Sequence, residues 1–397
     1  MTVANNLTAV IPTLYAQGLE SLRSMCVMPR LVLNDFAEEV REKGEIIQIP
    51  MPSSMTTTPV VPAAFAPDPQ NIAPTTAQIH LDNWEEAAFT LTEKEYAQVV
   101  NGIVPLQLSA AVQTLAASVN ASIFANYASV GNAVGVAGTT PFTTGIKQAT
   151  DAGVYLDNNY ALQRDRAIVL DPTGYGQAEQ LPNFAYYMYS GDKDTVNSGI
   201  IRDKFGFDWH KDQQVPYQTA GTLIGTVTAS GSQPAGSTAI SVATGSASSF
   251  TPNIGDIITF AGDAQTYTVL SNSTTNTLVD TLAMSMGASA TGTLNIYPAK
   301  VVALAGGEII TLMPAHRVNL AFQRQAFGFA SRPVKAGFGL QGEGRGMVVA
   351  EMMVPDPVSG LVMHMEIREE YRRTRVAYSM LWGTGPVRPN VACRIMG

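Results

Sequence analysis

Charge is scarce in this sequence, and over two long stretches it is missing. Asp, Glu, Lys and Arg supply 14% of the 397 residues, where soluble globular proteins carry roughly 25%. Residues 96–146 hold no charged residue of either sign, and no Lys or Arg stands between Lys211 and Lys300. The hydrophobic share is an ordinary 46%, so the missing charge leaves a neutral surface. Two explanations stay open at this point: a Ser/Thr-rich β protein, or a surface covered by neighbouring subunits, whose interface cores are depleted of charge.

Cysteine is scarcer still. Cys26 and Cys393 are the only two, which excludes a disulfide framework and any C-x-x-C zinc pair. The start MTVANNLTAVIPTLYAQ lacks the basic end and apolar run of a signal peptide. A reduced cytosolic compartment is therefore expected, and the triplets Asn6-Leu7-Thr8 and Asn120-Ala121-Ser122 carry no weight as glycosylation sites. Long apolar runs are absent as well. Gln107, Gln113, Asn120 and Asn126 interrupt the uncharged stretch, whereas a membrane span needs about 20 predominantly apolar positions.

What charge there is divides unevenly. Residues 1–150 carry 6 basic and 12 acidic groups, 151–215 carry 6 and 10, 216–299 carry 0 and 3, and 300–397 carry 12 and 7. Only the last segment is positive, within a net charge of −8. A dedicated nucleic-acid binder would show a concentrated basic footprint and a high pI.

Periodicity then orders the chain. Ile11, Leu14, Tyr15, Leu22, Met25 and Cys26 fall on helical spacing that Pro29 ends, and a second helical piece runs from Asp35 to Lys43. "EIIQIPM" reads as a strand. Seven prolines from Pro50 to Pro74, both included, exclude a central sheet position, and "TAQIHLDNWEEAAFTLT" returns as alternating strand. The two runs predict a projecting hairpin, which needs a neighbour to cover it because a lone ribbon is marginal in water.

Leu108, Val112, Leu115, Val119, Ile123 and Tyr127 form one apolar stripe, predicting a helix from Pro105 to Val130, roughly 39 Å long. Its opposite face is Ala, Ser, Thr and Asn instead of Lys and Glu, so both sides are expected to meet protein. Residues 145–215 predict an α/β layer: "TGIKQATDAGVYLDNN" as helix, "DRAIVLDP" as buried strand, "GQAEQLPNFAYYMYS" as helix. In the basic-free block "TLIGTVTA", "TAISV", "DIITF", "QTYTVL" and "TGTLNIYP" alternate with turn signals such as SGSQPAG and AGD. That spacing predicts a small antiparallel barrel or sandwich inserted into the chain. Two strong strands close the sequence, "GMVVAEMMVP" and "GLVMHMEIREEYRRTRVAYSMLWG", joined by a turn at Asp356–Gly360.

No constellation for chemistry emerges. "GFGLQG", Gly337–Gly342, matches G-x-G-x-x-G, but glycine loop and strand follow it instead of the helix whose N-terminus would hold a pyrophosphate. His80, His210, His316 and His364 are scattered, and "DWHKD", Asp208–Asp212, reads as a solvated turn before a metal site. "REEYRRTR", Arg368–Arg375, interleaves signs as inter-strand or inter-subunit ion pairs do. No nucleophile elbow, phosphate-binding loop or carboxylate pair appears. The chain is expected to be no enzyme, with no catalytic, cofactor-binding or metal residues and no cofactor.

Four stretches carry a family resemblance: "IPTLYAQGLESLRSMCVMPRLV", "NIGDIITFAG" with "YTV", "VNLAFQRQAFGFASRPV", and "DPVSGLVMHMEIREEYRRTRVAYSMLWG". In this order they resemble the major capsid proteins of tailed bacteriophages, whose fold is shared with the herpesvirus capsid floor, and most nearly the podovirus coat proteins with a β-barrel insertion domain. The resemblance implies an α+β capsid fold with an N-terminal arm at 1–44, an extended E-loop hairpin at 45–95 and a peripheral domain at 96–130 and 346–397 containing the spine helix. It implies an axial domain at 131–215 and 300–345, and the inserted barrel at 216–299. It further implies hexamers and pentamers closing an icosahedral shell around double-stranded DNA, with scaffolding and portal proteins as partners, no membrane, and assembly in the host cytoplasm into the virion. A non-catalytic β-rich binding or surface protein with a lectin-like insertion is the alternative. Some members of that family link their shells through an E-loop lysine. Positions 46–93 hold none, which predicts a non-covalent shell.

Overall fold

The longest uncharged stretch, residues 96–146, contains the longest helix among the described residues, and both main sheets pack against it. The computed structural model describes residues 26–34, 46–51, 55, 57, 71–92, 103–186, 198–246, 248–273, 286–332, 347–355 and 360–397. Most of the expected arm, the helix at 35–43, the proline-rich tip, the Gly337–Gly342 loop and the turn before Gly360 lie outside these residues. The helix runs Ile103–Phe124 and tightens into a 3₁₀ segment, Ala125–Ser129. Val112, Leu115, Val119 and Ile123 of the predicted stripe are buried, and Tyr127 is half-buried. Gln113, Thr114, Ala121 and Ala125 on the other side are exposed.

Two sheets share a core with this helix. The first has the strand order Ala133–Gly135, Ala392–Met396, His316–Gln323, Arg166–Leu170, Asp208–Lys211. All five residues of Arg166–Leu170 are buried, as expected of a continuous apolar strand covered on both faces. Helix Lys147–Asn158 packs against this sheet. The predicted second helix starts early, at Pro172, because Asp171 caps it by accepting from Thr173 N and Gly174 N. It ends at Glu179, and Pro182 opens a separate turn, Pro182–Ala185.

The second sheet places Phe327–Arg332, Arg373–Pro386, Val362–Glu370 and Met347–Pro355 side by side, with Asn83–Thr92 on the remaining flank of Arg373–Pro386. Three sequence expectations change here. The last predicted strand is two strands, folded back at Tyr371-Arg372 with Arg372 at φ 54°, since interleaved charge masked a tight turn. Asn83–Thr92 leaves the hairpin for this sheet, so the projecting pair is only Ile46–Met51 with Thr75–His80. Phe327–Arg332 also joins this sheet, whereas Ala392–Met396 crosses to the first, so the layers divide differently from 300–345 and 346–397.

The hairpin base is seated on glycine. Ile47, Ile79 and Leu81 form a small cluster with Ala330. A Cβ on Gly383 would lie 2.0 Å from His80 O, and one on Gly328 would lie 2.5 Å from Ile79 Cδ1.

The inserted module has its own core, in which Val227, Ile240, Val242, Phe250, Ile258, Phe260, Val269, Leu294 and Ile296 are buried together. Its six-stranded sheet runs Ile310–Leu312, Ile257–Phe260, Tyr267–Ser273, Thr291–Tyr297, Ala239–Thr244, Val227–Ala229. The two edge strands meet again at a Thr228–Ile309 bridge, with Ala229 N donating to Glu308 O. Leu304, Ile310 and Leu312 belong to this unit, so it extends beyond the expected limit of 299. Its stalk is the antiparallel pair His316–Gln218 and Arg317–Tyr217.

Candidate interaction surfaces and the polar junction beneath them

Arg394 lies on the C-terminal strand Ala392–Met396, whose apolar residues fill the first sheet, and its side chain is fully buried. Nη1 donates to Gly255 O at 2.6 Å, while Nη2 donates to Tyr127 O at 2.7 Å and Thr268 Oγ1 at 3.2 Å. The guanidinium stacks on the Tyr127 ring, 5.0 Å from its centroid. One side chain thereby ties the end of the long helix, the last strand and the module. Burial pulls the Arg394 pKa down to about 10, against the opposing effects of Tyr127 and Asp256, and it remains a cation at neutral pH.

Asp256 completes this junction. It accepts from Gln218 Nε2 at 2.7 Å, Asn253 N at 2.8 Å and Gly221 N at 2.9 Å. Burial raises its pKa, and these hydrogen bonds and Arg394 oppose the rise. Tyr127 donates to Gln218 Oε1. The segment after the helix is held from the same side: Thr268 Oγ1 donates to Val130 O at 2.7 Å and Thr266 Oγ1 to Gly131 O at 3.1 Å. A Cβ on Gly131 would lie 2.3 Å from Tyr297 O, so only glycine admits this approach.

Lys300, where the basic-free block ends, is buried inside the module. Its Nζ pairs with Asp263 and lies 4.8 Å from the Phe260 centroid and 4.9 Å from that of Tyr267. Tyr267 Oη also donates to Asp263 Oδ2 at 2.6 Å. Burial disfavours the Asp263 anion, but the bonds from Lys300 and Tyr267 outweigh it and the net shift is downward. The sequence placed Lys300 at a boundary, whereas folding makes it a core residue.

The sequence candidates for chemistry do not converge. His210 and Asp208 form a pair at 2.9 Å on the strand Asp208–Lys211. This segment is not the solvated turn expected, because Trp209 enters the core between Phe142 and Phe184. Asp212 is buried and accepts from Asn120 Nδ2 at 2.8 Å. His316 is buried, with Nδ1 2.8 Å from Pro314 O. His364 faces Ser379 Oγ at 3.2 Å. Among the described residues no three His, Cys, Asp or Glu side chains group as metal ligands, and no helix is long and apolar enough to cross a membrane. Within "REEYRRTR" the charges pair inside the chain: Arg368 with Glu366, Arg373 with Glu370, and Arg375 across the sheet with Glu86.

Among the described residues, several large apolar side chains stay exposed. Trp84 is 67% exposed on the flanking strand, Ile72 is 70% exposed before the hairpin's second strand, and Tyr371 is 87% exposed at the turn of the long strands. The neutral face of the long helix adds to this surface.

No protein-family model matches the sequence, and no curated protein does. Solved structures do. One from Mycobacterium phage Che8 aligns with TM-score 0.51 at 11% identity, covering 94% of this chain and 91% of that one. The capsid structure of the Cyanophage P-SCSP1u aligns with TM-score 0.49 at 14% identity over 92% and 85%. The capsid of the native GTA particle aligns with TM-score 0.43 at 10% identity over 96% and 90%. The chain thus shares its fold with the structure from Mycobacterium phage Che8.

Proposed function

We propose that this chain is the major capsid protein of a tailed phage, of the podovirus type with an inserted β barrel, and that it assembles as hexamers and pentamers into an icosahedral head around double-stranded DNA. The observation that carries this reading is the fold likeness over nearly the whole chain. The low charge supports it, because closed homo-oligomers bury wide surfaces and permanent interfaces exceed roughly 2,000 Å². Scaffolding and portal proteins and non-specific contact with packaged DNA belong to the same proposal, as do assembly in the host cytoplasm and residence in the virion.

In this reading the arm is 1–44 and the E-loop is shorter than 45–95, closing near Leu81. The spine helix begins at Ile103. The peripheral sheet takes 83–92, 327–332 and 347–386, and the axial layer takes 131–218, 316–323 and 392–396. The barrel domain is 219–315. Electron microscopy of the overexpressed chain is the test: shells or ring-shaped capsomers support the proposal, and a monodisperse monomer at high concentration overturns it. Because the E-loop holds no lysine, particles boiled in denaturant should run as one 42.2 kDa band; a ladder would contradict the non-covalent shell.

A further inference from the structure

Two loops of the axial layer hold aromatic side chains outward at backbone positions that ordinarily select glycine or asparagine. Tyr160 follows the C-cap Asn159 of helix Lys147–Asn158 with φ 55°, and it is 90% exposed. That position is left-handed and usually glycine. Phe205 and Gly206 make the two-residue turn between the bridged residues Lys204 and Phe207, with φ 56° and 78°. Such a turn favours Asn-Gly, yet Phe stands first. It touches Phe184 edge-on at 5.9 Å between centroids and still leaves 48% of its surface exposed. Bulky residues at positive φ are outliers that persist where something repays them. Exposure this large means that contacts with the other described residues do not.

Between these loops lies a cleft of about 440 Å³ whose lining includes Arg30, Arg164 and Asp203. All three are exposed. Arg164 has only a 4.0 Å approach to Asp165, at 81% side-chain exposure. Leu162, 45% exposed, stands in the first of these loops beside the lining residue Gln163. The whole lining holds four arginines and three aspartates, so a nucleic acid would be opposed by the aspartates and a purely acidic or basic peptide by roughly half of the charges. A surface of both signs flanked by aromatic loops complements a second copy of itself.

We propose that this cleft and its aromatic loops form a contact between copies of the chain related by a two-fold axis, so that Arg164 of each copy faces Asp203 of the other. The proposal rests on the capsid reading and names the surface through which copies meet. Its test uses the full-length chain with Arg164→Glu, Asp203→Arg and the double exchange, each assembled at low salt and counted by electron microscopy. All three variants should fold, since both positions are exposed. Each single reversal sets like charges against each other and should lower the assembled fraction about tenfold, while the double exchange restores it. Single variants that assemble at the wild-type level overturn this contact and leave the capsid reading standing. Wild-type chain that never assembles overturns both.

Discussion

Arg394 shows how much one residue decides. Its three acceptors come from the end of the long helix, a turn of the module and a module strand, and of these Tyr127 O also accepts from Val130 N. Arg394→Ala should therefore cost about 3 kcal/mol or more, measured as a lower denaturant midpoint; a loss below about 1 kcal/mol would contradict the pinning role. His316 sits close by. Burial lowers its pKa, with Arg394 adding to the fall and the Pro314 carbonyl and Asp256 opposing it. A folded-state pKa below the unfolded value of about 6.5 means that stability is fully present above that pH and is lost as pH falls through it. Melting temperatures compared between pH 7.5 and 5 should show a smaller acid loss in His316→Gln than in the wild type. Equal losses would show that His316 stays outside this linkage. None of this was legible in the sequence, where Arg394 and His316 lie 78 positions apart and neither belongs to a motif.

At the scale of elements, the long helix and the buried strand Arg166–Leu170 were readable because their patterns have one meaning. A stripe stepping by three and four makes a helix face, and the unbroken apolar run of four at 167–170 makes a covered strand. The hairpin at Tyr371-Arg372 was hidden, because charged residues on both arms prolong the alternation through the turn. Glycine roles were hidden too. Gly383 reads as a flaw in a strand, yet it is the floor on which the projecting hairpin lies. Gly383→Ala drives Cβ into the His80 carbonyl and should cost about 1–3 kcal/mol. Limited proteolysis should then cut between residues 46 and 80 faster than in the wild type. Unchanged cleavage would mean that the hairpin is held elsewhere.

For the whole molecule, the inserted module is a second core entered and left through the paired residues Gln218 and His316. Such adjacent ends let one domain be spliced into another without disturbing its host. Removing 216–299 would cut through this unit and strand Lys300, Leu304 and Ile310 without their core. The meaningful deletion is Thr219 to Ala315, closed by Asn-Gly. Although the ends meet, this deletion strips two of the three acceptors from Arg394 and the donors from Val130 O and Gly131 O. The refolding yield of the monomer should therefore drop. Undiminished refolding would refute the idea that the module helps to fold its host.

The sequence by itself determined that the surface is neutral, that a β module interrupts an α/β layer, and that one long helix and one projecting hairpin are present, because composition and periodicity are local quantities. Only the tertiary structure decided where the module ends, which sheet each late strand joins and which polar residues become internal, because those outcomes depend on pairings between residues far apart in the chain. The block without lysine or arginine is the clearest case. Its boundary on paper was Lys300, and folding turns that lysine inward against Asp263.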